Sequence, residues 1–399
     1  MKPATAHLDL PFFDDVHRTL APSLIDWAST QKVDETDDRA ACREWVRLLG
    51  DSGWLRYCVP TEFGGALPKL DSRALVILRE TLAFYSPLAD FAFAMQGLGS
   101  GAITLAGTAA QQAAYLPHVA TGKKIAAFAL SEADAGSDAG AMTTSAVQTS
   151  TAWTINGSKT WISNGGIADF YVTFVKTDPD TGTRGITPFI VDANTPGLDC
   201  SAHIAVMAPH PLATLEFKNC VVPAASQLGE LNGGFKLAMR TLDIFRASVA
   251  AAALGMARRA LAEAVSFSTH RSMFGGKLAD FQLTQAKLGE MAALIDAAAL
   301  LTYRAAWLRD EGERTGNATR VTSEADSRRD VSVAAAMAKM TATENAQRVI
   351  DMALQMHGGL GVKVGTKVES LYRDIRSLRI YEGATEVQQL IIGKAVLKG

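Results

Sequence analysis

The sequence has few cysteines, few aromatic residues and almost no excess of either charge. It has four cysteines in 399 residues, 7% aromatic residues and a formal net charge of -2. Cys42, Cys58, Cys200 and Cys220 form no CxxC pair and have no histidine cluster beside them. We therefore expect reduced thiols rather than a disulfide framework or a metal site. The near-neutral charge argues against general binding to nucleic acid or to an anionic membrane.

An apolar signal core is also lacking, because the start from Met1 to Thr5 is polar and short of large apolar residues. A cytoplasmic location is the expectation. The stretch from Phe91 to Gly122 carries no formal charge and is long enough to cross a bilayer. Large apolar side chains are sparse in it, so we expect a helix buried in protein, closed by Pro117, and no membrane span.

The length and the 48% hydrophobic content suit two or three globular domains. Three zones differ in pattern: a helical zone over 1–124, a zone of short strands over 125–228, and a second helical zone over 229–399. We predict one domain for each zone.

The middle zone alternates apolar and polar residues with period two. The pair Asn156-Gly157 lies between two alternating runs and predicts a hairpin turn. Further strands are predicted over 170–175, 186–191 and 215–217. Several short strands of this kind indicate a small β-barrel or a sandwich.

In the last zone, apolar residues recur every seven positions at Phe235, Leu242, Val249 and Met256. This stripe predicts helix-to-helix packing as in a bundle. A second, alanine-rich helix is predicted from about 332 to 357.

Two polar segments of the middle zone are candidates for chemistry. Ser131 to Gly140 follows an apolar run, and its small residues permit close approach to a ligand. The alternative is an acidic surface turn. In the second segment Trp161 precedes Ser163 by two residues, so that an aromatic plane and a hydroxyl could face a flat cofactor. A purely structural tryptophan is the alternative.

Three candidates lie in the last zone. Arg271 follows a helix, where it could bind phosphate or only satisfy the helix end. The glycines after His357 read as a helix stop. Thr385 and Gln388 predict a capping box at a helix start. Glu382 precedes it beside aliphatic and aromatic residues, where desolvation would make it a usable base, although a lone glutamate in a turn is more often solvated.

The order and spacing of these segments are more informative about the protein family than each segment alone. The pieces are FALSEADAGSD at 128–138, NGSKTWISN at 156–164, RSMFG and FQ at 271–275 and 281–282, QMHGG at 355–359 and YEG at 381–383. In this order they resemble the acyl-CoA dehydrogenase family of flavoproteins, from about residue 20 to the end.

The resemblance implies an α+β multidomain fold, with an N-terminal all-α domain, a middle β-barrel domain and a C-terminal four-helix bundle. It implies FAD bound between subunits of a homotetramer, or of a homodimer. The implied FAD contacts are Phe128, Leu130, Ser131, Trp161, Ile162, Ser163, Arg271, Phe274, Phe281, Gln282, Gln355, Gly358, Gly359, Ala384, Thr385 and Glu386. The implied substrate contacts are Ser137, Asp243, Arg246 and Gly383.

The resemblance also implies the reaction, the α,β-dehydrogenation of an acyl-CoA thioester to the 2-enoyl-CoA. Glu382 would remove the α-proton while a hydride passes from Cβ to flavin N5. The thioester oxygen would accept hydrogen bonds from the Glu382 N–H and an FAD ribitol hydroxyl. An electron-transfer flavoprotein is the implied electron acceptor.

This sequence departs from the family pattern at three places. Ala133 replaces a usual proline, which makes the loop less rigid. The segment 206–213 replaces one that usually contains Lys, Gly and Arg. Some relatives carry their base on the bundle helix, where this chain has Phe245, which strengthens Glu382 as the base. The alternatives are a flavin-dependent oxidase or monooxygenase on the same fold, and a non-catalytic nucleic-acid-binding relative.

Overall fold

The structure is a computed structural model that describes residues 1–315 and 324–398, and side chains outside 313–329. The chain forms two compact units. The helical unit comprises Met1–Lys32, Asp71–Asp90 and Asp243–Gly399, and the sheet unit comprises Val33–Leu70 and Phe91–Leu242. The bounds 1–124, 125–228 and 229–399 stay a prediction.

The α-helices of the described residues agree with the two predicted helical zones. They are α1 (Asp15–Thr30), α2 (Asp38–Asp51), α3 (Ser72–Tyr85), α4 (Pro87–Ala106), α5 (Ala109–Ala120), α6 (Gly234–His270), α7 (Gln282–Thr315), α8 (Glu324–Met356), α9 (Lys367–Leu378) and α10 (Thr385–Val396).

The middle zone forms a seven-stranded sheet. Its strands are β1 (Ala126–Ala129), β2 (Ser145–Gln148), β3 (Ala152–Ser163), β4 (Phe170–Lys176), β5 (Ile186–Asp192), β6 (Leu198–Ile204) and β7 (Leu212–Pro223). The order is β1-β4-β2-β3-β7-β6, and β5 also pairs with β4. Two further short strands, β8 (Ser272–Met273) and β9 (Gly276–Lys277), form a separate pair.

The hairpin predicted at Asn156-Gly157 is wrong. Both residues lie inside the continuous strand β3, and the pairing of β3 with β7 shifts register between Ile155 and Gly157. Gly157 has a φ of 134°, and a Cβ there would lie 2.6 Å from Cα of Thr144. The glycine therefore serves a β-bulge and a close backbone approach rather than a turn.

The uncharged stretch of the sheet unit forms two helices rather than one. Thr108 separates them and caps α5: its Oγ1 accepts from the Gln111 N–H at 3.2 Å, while Gln111 Oε1 accepts from the Thr108 N–H at 2.9 Å. This reciprocal pair is a capping box. Pro117 lies inside α5 rather than closing the helical region.

The helical unit contains the predicted bundle helices. The heptad stripe falls on α6, and the alanine-rich helix is α8, against which α7, α9 and α10 pack. Within the described residues one helical stretch, 282–312 in α7, is long and apolar enough to cross a membrane by length and composition alone. It contributes buried residues such as Met291, Ile295 and Ala298 to the core of the unit.

Candidate active site

In the sheet unit, β1 leads into the loop that begins at Ser131. Phe128 on β1 packs its ring against Phe174 at 4.9 Å, and Leu130 is buried. The backbone N–H of Thr160 donates to the Ser131 carbonyl oxygen at 3.0 Å. Ser131 is therefore held beside the end of β3 that carries Trp161. Ser137 lies further along the loop and is exposed.

The end of β3 presents a flat aromatic surface. The Trp161 side chain is 57% exposed although the residue lies within a strand, and its φ is 60°. Such a backbone is uncommon for a bulky residue and is found where surrounding structure enforces it. Ile162 points into the core, while Ser163 is part-buried. An exposed indole next to two serine hydroxyls fits a planar flavin with polar edges.

His210 is a neighbour of Ser163 that the sequence did not reveal as part of the site. Its Nε2 lies 3.0 Å from Ser163 Oγ, and its ring lies 3.8 Å from the Phe91 ring, centroid to centroid. Burial lowers the pKa of His210 to about 3. The imidazole is therefore neutral at physiological pH. It belongs to the segment 206–213 that departs from the family pattern.

In the helical unit, Glu382 lies on the turn before α10. Its φ is 53°, and the φ of Gly383 is 91°. The carboxylate oxygen Oε2 is buried and has no hydrogen-bond partner among the described residues. Burial raises the pKa of Glu382, and Arg79, Lys339 and Arg246 oppose this rise. The result is a desolvated carboxylate with cations nearby, which is the environment of a tuned base.

The guanidinium of Arg79 is held in a buried bidentate ion pair. Nε and Nη2 donate to the two oxygens of Asp90 at 2.8 and 2.9 Å, and Nη1 donates to Ser248 Oγ at 3.0 Å. A buried charge pair requires this degree of satisfaction. Neither residue was singled out from the sequence, because a charged residue in a helix normally faces solvent.

Asp243 and Arg246 lie one turn apart on α6 and form an ion pair. Asp243 Oδ2 also accepts from Ser332 Oγ at 2.9 Å. Nε of Arg246 is buried without a partner in the part of the chain that the structure describes. Phe245, between them in sequence, is buried.

The capping box predicted for Thr385 and Gln388 is wrong. The N-cap of α10 is Ala384, whose side chain accepts no hydrogen bond. The Thr385 hydroxyl instead donates to Glu344 Oε1 at 2.6 Å. Gln388 Nε2 donates to the Gly383 carbonyl oxygen at 2.9 Å. Both side chains therefore bind the neighbouring structure rather than each other, and Glu386 is exposed.

The remaining predicted cofactor residues lie at the ends of α6 and α8, which are linked by the stacked rings of Phe267 and His357 at 4.3 Å. Phe274 is 88% exposed, with a φ of 47°, and its ring meets that of Phe281 edge to face at 6.3 Å. The others are likewise exposed: Arg271, Gln282, Gln355, Gly358 and Gly359.

Comparison with known proteins gives three family models along the chain. "Acyl-CoA dehydrogenase, N-terminal domain" matches residues 14–123, "Acyl-CoA dehydrogenase, middle domain" matches 127–220, and "Acyl-CoA dehydrogenase, C-terminal domain" matches 232–397.

Two curated relatives match over nearly the whole chain. The 3-(aryl)acrylate reductase of Clostridium sporogenes is 38% identical over 97% of this chain and 100% of its own length. The caffeyl-CoA reductase-Etf complex subunit CarC of Acetobacterium woodii is 37% identical over 93% of this chain and 94% of its own.

Solved structures agree. Butyryl-CoA dehydrogenase from Megasphaera elsdenii superposes with a TM-score of 0.86 at 33% identity, covering 96% of this chain and 99% of that one. An acyl-CoA dehydrogenase from Bacillus anthracis, solved in complex with FAD, gives a TM-score of 0.87 at 29% identity, covering 99% of this chain and 68% of that one.

Fold and comparisons together define an FAD-dependent oxidoreductase with N-terminal helices, a middle sheet and C-terminal helices. The chain belongs to the acyl-CoA dehydrogenase family. Its activity is that of the family, the FAD-dependent dehydrogenation of acyl-CoA thioesters.

Proposed function

We propose that Glu382 is the base that removes the α-proton of the acyl-CoA thioester. The observation that carries this proposal is the buried Oε2 atom of Glu382, which has no partner among the described residues. A buried polar atom without a partner is costly, so it is expected where a ligand completes the site. The buried Nε of Arg246 supports the same conclusion, because Arg246 is a predicted substrate contact.

The thioester carbonyl acidifies the α C–H, and a desolvated carboxylate is a stronger base than a hydrated one. Glu382 takes the proton on its buried carboxylate, and its backbone N–H donates to the carbonyl oxygen as negative charge develops there. When bound, FAD supplies the hydride acceptor for the Cβ–H bond. Arg79, Lys339 and Arg246 favour the ionised form of Glu382 before the reaction.

The test is anaerobic mixing of the yellow holoenzyme with acyl-CoA thioesters, read by loss of flavin absorbance. Glu382→Gln is expected to lower the rate of flavin reduction by about 100-fold or more, as for loss of a positioned base. Glu290→Gln is the control, because Glu290 is exposed and pairs only with Arg348 in the described residues. If Glu382→Gln bleached as fast as the wild type, Glu382 would not be the base.

The thioester itself is identified by a screen. We choose 3-phenylpropanoyl-CoA and its 2-enoyl product as the first probes, because two relatives are named as reductases of aryl acrylates and of caffeyl-CoA. Butyryl-CoA is the short-chain comparison. We further propose an electron-transfer flavoprotein as electron acceptor, supported by the Etf complex named for one relative. Fast peroxide formation under air, without such an acceptor, would favour the oxidase alternative instead.

We propose a homotetramer, with a homodimer as the smaller alternative. The support is a set of apolar side chains that contact water in the single chain and that subunit contacts would bury. They include Phe274, Leu283 and Leu397. Light scattering after size-exclusion chromatography of the holoenzyme measures the mass of the oligomer. Phe274→Ser is expected to weaken FAD retention and assembly together, whereas a monomeric wild type would refute the proposal.

We also propose a cytoplasmic location. All four cysteines are free, which suits a reducing compartment. Cell fractionation with antibody detection tests the location directly.

A further inference from the structure

Lys339 on α8 directs its ammonium group at the turn that carries Glu382. The residue is completely shielded from solvent, at 0% exposure. Its Nζ donates to the Gly383 carbonyl oxygen at 2.7 Å. A fully buried lysine is rare and needs a reason beyond covering the core.

Two donors converge on that one carbonyl oxygen. Gln388 Nε2, at 2.9 Å, is the second, and it also lies 3.4 Å from the Glu382 carbonyl oxygen. The turn needs such support, because Glu382 has a positive φ, which is unfavourable for a residue with a Cβ. A Cβ on Gly383 would lie 2.5 Å from Gln388 Nε2, so the amide closes tightly on the turn.

The charge of Lys339 is not neutralised by this hydrogen bond, since a carbonyl oxygen is neutral. Burial lowers the pKa of Lys339 to about 8, while Glu382, Glu344 and Glu386 raise it and Arg246 lowers it further. The groups that face Glu382 are Arg79 from α3, Asp90 from α4, Arg246 from α6, Lys339 from α8 and the phenol of the adjacent Tyr381.

These cations are not equivalent. Arg79 is engaged bidentately by Asp90, and Arg246 is engaged by Asp243. Lys339 instead hydrogen-bonds the main chain of the turn. Its removal therefore changes the net charge that Glu382 experiences, whereas each arginine acts together with its carboxylate.

We propose that Lys339 is a positioning residue for the base: its ammonium group fixes the Glu382–Gly383 turn and stabilises the ionised carboxylate of Glu382. This inference rests on the proposed function only in treating Glu382 as the base. A charged donor does both tasks at once, because its hydrogen bond sets the geometry and its field sets the protonation state.

The experiment separates the two tasks with matched variants of the holoenzyme. Lys339→Gln removes the charge but keeps an amide donor, and Gln388→Met removes a donor but keeps the charge. Infrared difference spectra follow the protonated carboxyl of Glu382 across pH, and the band is assigned by its absence in Glu382→Gln. Flavin reduction by 3-phenylpropanoyl-CoA and butyryl-CoA gives the rate against pH.

In Lys339→Gln the apparent pKa of Glu382 is expected to rise by about one pH unit or more. Gln388→Met is expected to leave that pKa near the wild-type value and to lower the limiting rate about 10-fold through looser geometry. Lys339→Arg is expected to titrate like the wild type. Lys339→Met, of similar volume, is the second variant if Lys339→Gln does not fold.

A Glu382 band in Lys339→Gln or Lys339→Met that titrates as in the wild type would overturn the inference. This result would leave Glu382→Gln inactive and the proposed function intact. Conversely, normal flavin reduction by Glu382→Gln would refute the proposed function, while the infrared titration would still report whether Lys339 sets the pKa of Glu382.

Discussion

Nζ of Lys159 lies 2.8 Å from Oε1 of Glu132 and 2.9 Å from the carbonyl oxygen of Leu130, in a fully buried position. The backbone N–H groups of Thr143 and Thr144 donate to the same carboxylate at 2.7 and 3.0 Å. Burial alone would raise the pKa of Glu132, but Lys159 and these donors hold it at about 2. The pair thus fixes both sides of Ser131, the predicted flavin contact.

Lys159→Met is expected to destabilise the protein by about 3 kcal/mol, because it leaves Glu132 charged and buried without its cation. It should also weaken FAD retention, since Leu130 loses the donor that fixes its carbonyl. Urea unfolding and titration of the apoprotein with FAD measure the two effects. Lys218→Met, at an exposed position of β7, is the control and should change neither. If Lys159→Met unfolded at the same urea concentration as the wild type, the expectation would be contradicted.

His210 is expected to make the protein sensitive to mild acid. The unfolded chain takes up a proton near the ordinary pKa of 6.5, while folding lowers the pKa of His210 to about 3. The unfolded state binds more protons between these values, so stability falls as the pH falls through this window, by up to about 1.4 kcal/mol per pH unit. His210→Gln should flatten the dependence of the urea midpoint between pH 6.5 and 5.

The matched variant for this prediction is His118→Gln, at an exposed position of α5. It should retain the wild-type slope. An unchanged slope in His210→Gln would show that another group controls the acid response.

Gly255 on α6 allows a close approach to α3. A Cβ at this position would lie 2.1 Å from the Glu80 carbonyl oxygen. Gly255→Ala is expected to cost about 1 to 3 kcal/mol through overpacking. Gly289→Ala on the exposed face of α7 meets nothing within 4 Å and is expected to stabilise by about 1 kcal/mol. Thermal unfolding of the two variants tests this. Melting temperatures that shifted equally and in the same direction would refute the expected difference between Gly255→Ala and Gly289→Ala.

The cysteines should differ sharply in reactivity. Cys42, Cys58 and Cys220 are buried, and Cys200 is part-exposed. Burial raises the pKa of the Cys42, Cys200 and Cys220 thiols. A thiol reagent such as dithionitrobenzoate should react slowly with one group in the native protein and with four after unfolding. Cys200→Ser should remove the native reaction, and rapid native reaction of two or more thiols would be inconsistent with this structure.

The sequence predicted the order of helices, strands and helices and most of the elements, because periodicity is a local property. It failed where a local signal serves a distant contact. Asn156-Gly157 has the composition of a hairpin turn, yet the glycine is required by Thr144, which lies just before β2. Thr385 is a residue type common at helix caps, yet its hydroxyl donates to Glu344 on α8. Neither contact can be predicted from the residues that are adjacent in sequence.

The residues of the candidate site differ in the same way. Glu382 could be singled out because its turn and apolar neighbours are adjacent in sequence. Lys339 and Arg79 could not, since each acts on a residue far along the chain and lies in an ordinary helix. His210 lies in the unusual segment 206–213, but its contact with Ser163 is not visible in the sequence. Burial of a charge is a tertiary property, which a pattern of apolar spacing does not report.

The turn that carries Glu382 also says something about selection. A glutamate with a φ of 53° occupies a backbone for which glycine, asparagine and aspartate are better suited. The chain keeps a residue that its own backbone disfavours, at a cost of about 1 kcal/mol. Replacement of Glu382 by glycine or asparagine would therefore stabilise the fold while removing the carboxylate that we propose as the base.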